Sequence, residues 1–344
     1  MNGAFANREV LAKIRNLEVN YQTRLGRLNA ASNVSLDIYR GEILGLVGES
    51  GCGKSTLGKA LLRMLPPSAE VSGEIVFDGE DILKYNQKQL RDFRGRRASM
   101  IFQDPMTSLN PIQRIREHLL EAIEVHEPQT KFDEAVARIG KLVERLGIQK
   151  ERLPDYPHQL SGGMRQRVMI SLGLVLNAEL VIADEATTSL DVIVEAKLLD
   201  QLREIRDEFG VTIILITHNI ALVAELADRV AVMYAGRIAE LGSVYDVFDN
   251  PLHPYTKGLL KSVPNIKLDE QEDLYRMAGE PPNLTHPPAG CRFHPRCPEA
   301  MPICSGIEPT LLEVHPGHFV HCWLYEDHPQ KEAPTIQVQA HQHE

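Results

Sequence analysis

No apolar run in this 344-residue chain approaches the roughly 18 residues that a membrane-spanning helix requires. Residues Met1 to Asn7 also lack the hydrophobic core of a secretion signal. The expectation is a protein that neither crosses a bilayer nor is exported by the usual route. A basic excess is missing as well: 37 Lys and Arg stand against 47 Asp and Glu, a formal net charge of -10. That balance argues against a nucleic-acid binder working through a broadly basic face. Cysteine is scarce and unevenly placed; of five, Cys52 stands alone and the other four fall between residues 291 and 322. In a reducing cytosol, disulfides are not the expected use for those four. What remains is ordinary for a soluble globular protein, 43% hydrophobic and 24% charged. The length makes two domains the natural expectation.

The strongest local signal is Gly48-Glu49-Ser50-Gly51-Cys52-Gly53-Lys54-Ser55-Thr56, which fits the phosphate-binding loop Gly-x-x-x-x-Gly-Lys-Ser. The apolar run Ile43 to Val47 precedes it as a buried strand. Leu57, Leu61, Leu62 and Leu65 follow at helical spacing, predicting a helix over Thr56 to Leu65. Strand, glycine loop and helix together form the context this motif requires. The glycines let consecutive N–H groups turn around a phosphate, and the helix N-terminus adds partial positive charge. Lys54 would reach the β- and γ-phosphates and the Ser55 hydroxyl would ligate Mg²⁺, so the loop implies a bound nucleoside triphosphate.

Around this centre the chain reads as follows. Leu17, Val19 and Tyr21 alternate with polar residues, as do Val34, Leu36 and Ile38, predicting two half-buried strands with a loop over Gln22 to Ala30. Glu74 to Phe77 and Ala98 to Phe102 are further short strands of this early antiparallel region. Val136, Ile139, Leu142, Val143 and Leu146 form one face of a helix that stops near Gly147. Ser161 is placed to cap a helix opening at Leu160-Ser161-Gly162-Gly163-Met164-Arg165-Gln166. Leu180 to Ala183 ends in Asp184-Glu185, the continuous run Val211 to Ile216 ends in Thr217-His218, and Arg229 to Leu241 makes a hairpin. Composition shifts after about Phe248, where a domain boundary is expected. Residues 327–344 lack a core pattern and are expected to be a disordered tail.

An apolar strand ending in Asp-Glu suits Mg²⁺ binding by Asp184 and water activation by Glu185, though on its own this pattern also describes a helix cap. In the order phosphate loop, Gln103, Leu160 to Gln166, Asp184-Glu185 and His218, the chain resembles the ATP-binding cassette ATPases over residues 8–247. The resemblance implies an α/β fold: a RecA-like core with an antiparallel β subdomain and a helical subdomain at about 104–165. It implies that Tyr21 stacks on adenine, that Gln103 senses Mg²⁺ or the attacking water, and that His218 contacts the γ-phosphate. Ser161 and Gly163 would contact the γ-phosphate held by an opposing subunit, with Ser189-Leu190-Asp191 communicating across that interface. The family usually has Pro after the catalytic Glu, whereas this chain has Ala186, which loosens the constraint on that turn.

The remaining cysteines run Cys291-x5-Cys297-x6-Cys304-x17-Cys322. Four thiols within a Pro- and Gly-rich stretch favour a metal site over free cysteines, but the spacing is not the paired Cys-x2-Cys of structural zinc. The stretch Gly290 to Pro298, together with Asn250 to Tyr255, resembles the C-terminal extension of cassettes serving dipeptide, oligopeptide and nickel importers. There the resemblance implies a 4Fe–4S cluster, with Zn²⁺ the alternative. The extension, 248–326, is expected to form a small domain of its own, leaving ATP binding insensitive to the cysteines. The implied role is an ATPase on the cytoplasmic face of the inner membrane, peripheral and energising peptide import. Its implied partners are a second, paralogous cassette, two transmembrane permease subunits and an extracytoplasmic binding protein, with no nucleic acid. Nickel or another small solute is the alternative cargo, and a soluble cassette of ribosome or DNA metabolism the alternative class.

Overall fold

Unbroken apolar runs and alternating strands build two sheets in the computed structural model, which describes residues 8–102, 108–185, 202–262 and 277–326. Gln103, Ala186, Ser189 to Asp191 and the tail 327–344 lie outside the described residues. The strands are β1 (Val10–Thr23), β2 (Gly26–Tyr39), β3 (Ile43–Val47), β4 (Ala69–Phe77), β5 (Glu80–Asp81), β6 (Ala98–Ile101), β7 (Leu180–Asp184), β8 (Thr212–Ile216), β9 (Arg229–Tyr234), β10 (Arg237–Ser243), β11 (Leu312–His315) and β12 (His318–Val320). They form two sheets, a four-stranded one in the order β2-β1-β4-β5 and an eight-stranded one in the order β11-β12-β10-β9-β3-β8-β7-β6.

In the larger sheet β3 lies between β8 and β9, parallel to both, and β6 runs parallel to β7. Its central strands are buried on both faces, which is why they read as unbroken apolar runs. Ile43 and Val47 of β3, with Ile213 and Leu215 of β8, face a core shared with the helices. Leu44 and Leu46, with Ile214 and Ile216, face the second core, closed by the antiparallel sheet and by Leu57, Ala60 and Leu61. Gly45 has a packing reason: a Cβ there would lie 2.3 Å from Val223 Cγ1, so the helix Ile220–Leu226 seats directly on β3. The helices Ile115–His126, Phe132–Arg145 and Gly162–Leu174 pack together through Leu119, Ile123, Ile139, Val143 and Val168.

Three expectations need correction. The loop expected over Gln22 to Ala30 is a tight hairpin, with Tyr21 opposite Leu28 and Thr23 opposite Gly26. Its backbone pairs although the side chains from Gln22 to Arg27 face solvent, so apolar patterning gives no sign of it. Ala98 to Ile101 belongs to the parallel sheet, not to the early antiparallel one. The helix after the phosphate loop spans Lys54–Leu61; Arg63, at φ 49°, turns the chain away before Leu65.

Residues 277–326 carry two single-turn helices, His294–Arg296 and Pro302–Ser305, and the hairpin β11–β12. That hairpin has no sheet of its own. Glu240 and Leu241 of β10 pair with Val320 and Phe319 of β12, extending the main sheet. Glu240, fully buried, accepts from His318 Nε2 and from the backbone N–H groups of Leu252 and His253, each at 2.8 Å.

Candidate functional site

The turn from β3 into the helix Lys54–Leu61 is built on glycines at positive φ: 150° at Gly48, 77° at Gly51 and 106° at Gly53. A Cβ on Gly53 would stand 2.1 Å from the Ala30 carbonyl oxygen, and one on Gly48 at the same distance from that of Met233. No other residue type fits either place. Within the loop, Lys54 Nζ donates to the carbonyls of Gly48 at 2.7 Å and Glu49 at 3.0 Å, with Cys52 Sγ 3.8 Å away. Lys54 is 5% exposed, so it serves this concavity and not bulk solvent.

The loop floors a cavity of about 580 Å³ lined by Tyr21, Ser50, Gly51, Gly53, Lys54, Ser55, Thr56 and Glu185 together with Leu28, Ala30 and Leu284. Ser55 Oγ donates to Asp184 Oδ1 at 2.8 Å, placing hydroxyl and carboxylate oxygens side by side at the end of β7. Burial pushes the Asp184 carboxyl above its ordinary range; Glu185 adds to this, while the Ser55 bond and Lys59 and Lys54 oppose it. A cation beside Asp184 would relieve that penalty.

Glu185 has φ 47°, rare for a residue with a Cβ and a mark of a geometry imposed by its surroundings. Its N–H donates to the Ile216 carbonyl at 2.8 Å, and Oε1 lies 3.6 Å from His218 Nδ1. The ends of β7 and β8 thus bring Glu185 and His218 together. Tyr21 lines the same cavity from β1, its hydroxyl 3.2 Å from Thr56 Oγ1. Ser161 and Gly163 do not line it: they open the helix Gly162–Leu174, where Ser161 Oγ is exposed and accepts from Met164 N–H at 3.3 Å. Gly48, Glu49 and Cys52 belong to the loop but not to the cavity wall.

Several contributors lie beyond the reach of local pattern. Leu284 comes from the C-terminal segment and is docked by Asn29 N–H donating to its carbonyl at 3.0 Å. Arg292 donates to Asn29 Oδ1 at 2.8 Å and to the Ala235 carbonyl. Arg296 grips the Glu49 carboxylate through Nη1 at 2.8 Å and Nη2 at 2.9 Å, joining the cysteine-bearing segment to the phosphate loop. Asn250 to Tyr255 reaches the loop as well: Glu49 N–H donates to the Tyr255 hydroxyl at 2.9 Å.

The thiols of Cys291, Cys297, Cys304 and Cys322 are gathered in one neighbourhood. Burial pushes Cys297 and Cys322 up to about 12; Cys291 and Cys304 add to both, and Cys297 adds to Cys322. Burial also raises Cys291, with Cys304 contributing. Among the described residues, no three His, Cys, Asp or Glu side chains converge as a group that could hold one metal ion. Nor, among those residues, is any helix long and apolar enough to cross a membrane.

Comparison with known proteins follows the same outline. The family described as "ABC transporter" matches residues 31–188, and "Oligopeptide/dipeptide transporter, C-terminal region" matches residues 239–304. The chain is 44% identical over 322 residues to "Dipeptide transport ATP-binding protein DppD" of Bacillus subtilis (strain 168), covering 92% of this chain and 96% of that one. It is 43% identical over 318 residues to "Oligopeptide transport ATP-binding protein OppD" of Escherichia coli (strain K12), covering 92% and 93%. Among solved structures, cbiO1 from Clostridium perfringens, part of the ABC transporter complex cbiONQ, superposes with a TM-score of 0.60 at 32% identity, over 70% of this chain and 92% of that one. The dimeric bacterial ABC transporter cassette MJ0796 gives 0.62 at 25% identity, over 68% and 98%.

Proposed function

The chain belongs to the ABC transporter family, among the ATP-binding proteins of dipeptide and oligopeptide transport, and from that premise we propose that it hydrolyses ATP to drive peptide import through membrane-embedded partners. The observation that carries the reading is the convergence of Lys54, Ser55 and Glu185 on one cavity, with Asp184 hydrogen-bonded to Ser55 behind its wall. Lys54 exchanges its bonds to the Gly48 and Glu49 carbonyls for phosphate oxygens, and the loop amides carry the remaining phosphate charge. Tyr21 supplies the cavity's aromatic wall for adenine. Ser55 and Asp184, with Gln103, are the residues to hold Mg²⁺, which when bound neutralises charge on the β- and γ-phosphates. Glu185 accepts the proton of the attacking water, and His218 beside it senses the γ-phosphate.

Ser161 and Gly163 sit on an exposed helix start away from the cavity, which supports their use by a facing cassette. The assembly we infer is a pair of cassettes, this chain and a paralogue, on two transmembrane permease subunits at the cytoplasmic face of the inner membrane, fed by an extracytoplasmic binding protein. Residues 8–247 make up the ATP-binding domain, with its helical subdomain at about 104–165, and residues 248–326 the C-terminal domain. The test is ATP hydrolysis by the assembled complex in liposomes. Stimulation by dipeptides or oligopeptides is expected; stimulation by nickel but not by peptides would overturn the cargo, and failure of the chain to bind ATP would overturn the whole reading.

We assign Cys291, Cys297, Cys304 and Cys322 to a 4Fe–4S cluster. Cys304 and Cys322 are buried and Cys291 and Cys297 half-buried, and burial disfavours the thiolates of Cys291, Cys297 and Cys322, a penalty that a bound polycation would offset. Four cysteine thiolates are the ligand set of a cubane, and their spacing departs from the Cys-x2-Cys pairing of structural zinc. Anaerobic protein is expected to be brown, with about four irons and four labile sulfides per chain. A colourless preparation holding zinc and no sulfide would overturn this assignment and leave the ATPase intact.

A further inference from the structure

Glu49 is held from outside the phosphate loop at two points. Its carboxylate takes parallel hydrogen bonds from both terminal nitrogens of Arg296, and its amide N–H donates to the hydroxyl of Tyr255. The Arg296 side chain is 5% exposed and Tyr255 is 0% exposed. The Tyr255 contact is shielded and the Arg296 pair partly so, Glu49 being 25% exposed; a two-pronged guanidinium–carboxylate pair is selective in geometry. Arg296 is itself fixed by Nε donating to the Ala278 carbonyl at 3.0 Å and Nη1 to the Tyr234 hydroxyl at 3.3 Å. On its inner side, the carbonyl of the same Glu49 accepts from Lys54 Nζ. One residue therefore links the C-terminal segment to the lysine that faces the phosphates.

A loop rich in glycine at positive φ has wide conformational freedom and loses it when it must take one shape around a ligand. Fixing its outer residue in advance removes part of that cost. We propose that Arg296 and Tyr255 are positioning residues of the ATP site, gripping the carboxylate and amide of Glu49 so that the phosphate loop holds its binding shape before a triphosphate arrives and Lys54 exchanges the Glu49 carbonyl for phosphate. This rests on the loop being the ATP site.

The test is the Kd of the full-length chain for Mg-ATP. Glu49→Gln and Arg296→Met are each expected to weaken it about tenfold, the scale of removing an outer-sphere partner from a binding site. The double variant is expected to be no weaker than the worse single one, since both remove the same grip. Arg296→Lys, which keeps the charge and loses the fork, should recover part of the affinity lost in Arg296→Met. In the assembled complex the effect is expected mainly in KM for ATP, with a smaller fall in kcat. An unchanged Kd in the single variants, or losses that add in the double, would overturn the proposal. Should Arg296→Met not fold, Glu49→Gln and Arg296→Lys probe the same grip and decide the question by the same change in Kd. A wild-type chain that binds no ATP would instead break the reading of the loop itself.

Discussion

Glu185 and Lys54 share a cavity, yet their contacts assign them separable jobs. Lys54 is buried against loop carbonyls, bonds that in the proposed mechanism it exchanges for phosphate oxygens. Glu185 is held by Ile216 and His218 at the far wall, where a water approaching the γ-phosphate would pass. If Glu185 is the base as proposed, Glu185→Gln keeps the shape and removes it, so ATP binding should persist while hydrolysis falls by at least about 100-fold. Lys54→Ala should weaken nucleotide binding itself. A nucleotide titration run beside a phosphate-release assay separates the two, and near wild-type turnover in Glu185→Gln would remove Glu185 from the base role.

At the scale of elements, the helix Pro254–Lys261 illustrates how a cap can carry pH dependence. His253 precedes it and its Nδ1 accepts the Tyr255 N–H at 3.0 Å. Burial, with His321 and Lys257 repelling added charge, pushes the ring pKa down to about 3. The unfolded chain takes up a proton on this side chain below about pH 6.5; the folded chain does so only near the lower value. Across that window the unfolded state binds more protons, so stability falls as pH falls, by about 2 kcal/mol at pH 5 from this residue. His253→Asn keeps a cap acceptor without titrating. Its denaturation midpoint should depend less on pH between 7 and 5 than that of the wild type, and an unchanged slope would show that His253 is not the group responsible.

The same scale shows what was legible in the sequence. β3, β7 and β8 are unbroken apolar runs because both of their faces are covered, and the glycine loop and Asp184-Glu185 mark where they end. Ser161 was recognisable as a cap because its hydroxyl bonds to Met164, three residues on. The polar end of the β1–β2 hairpin was not legible, since backbone pairing there involves no apolar pattern. Neither was the grip on Glu49: Arg296 lies 247 positions away, and nothing in either local sequence names its partner. Such contacts exist only once residues distant in the chain are packed together.

For the molecule as a whole, separating the Ser161 helix start from the cavity sets an expectation about stoichiometry. The purified chain alone should hydrolyse ATP poorly, and addition of its partner cassette and permeases should raise turnover; vigorous activity from a demonstrated monomer would contradict the shared site. The C-terminal hairpin has a different consequence. Because β12 covers β10, deleting everything after residue 247 would lay bare an edge strand with Leu241 beside it and strip Glu240 of the His318 partner it has in the interior. Naked edges recruit other edges. A cassette shortened there should therefore self-associate into sheet-rich aggregates, visible by light scattering, making the extension a guard against misassembly as well as a neighbour of the nucleotide.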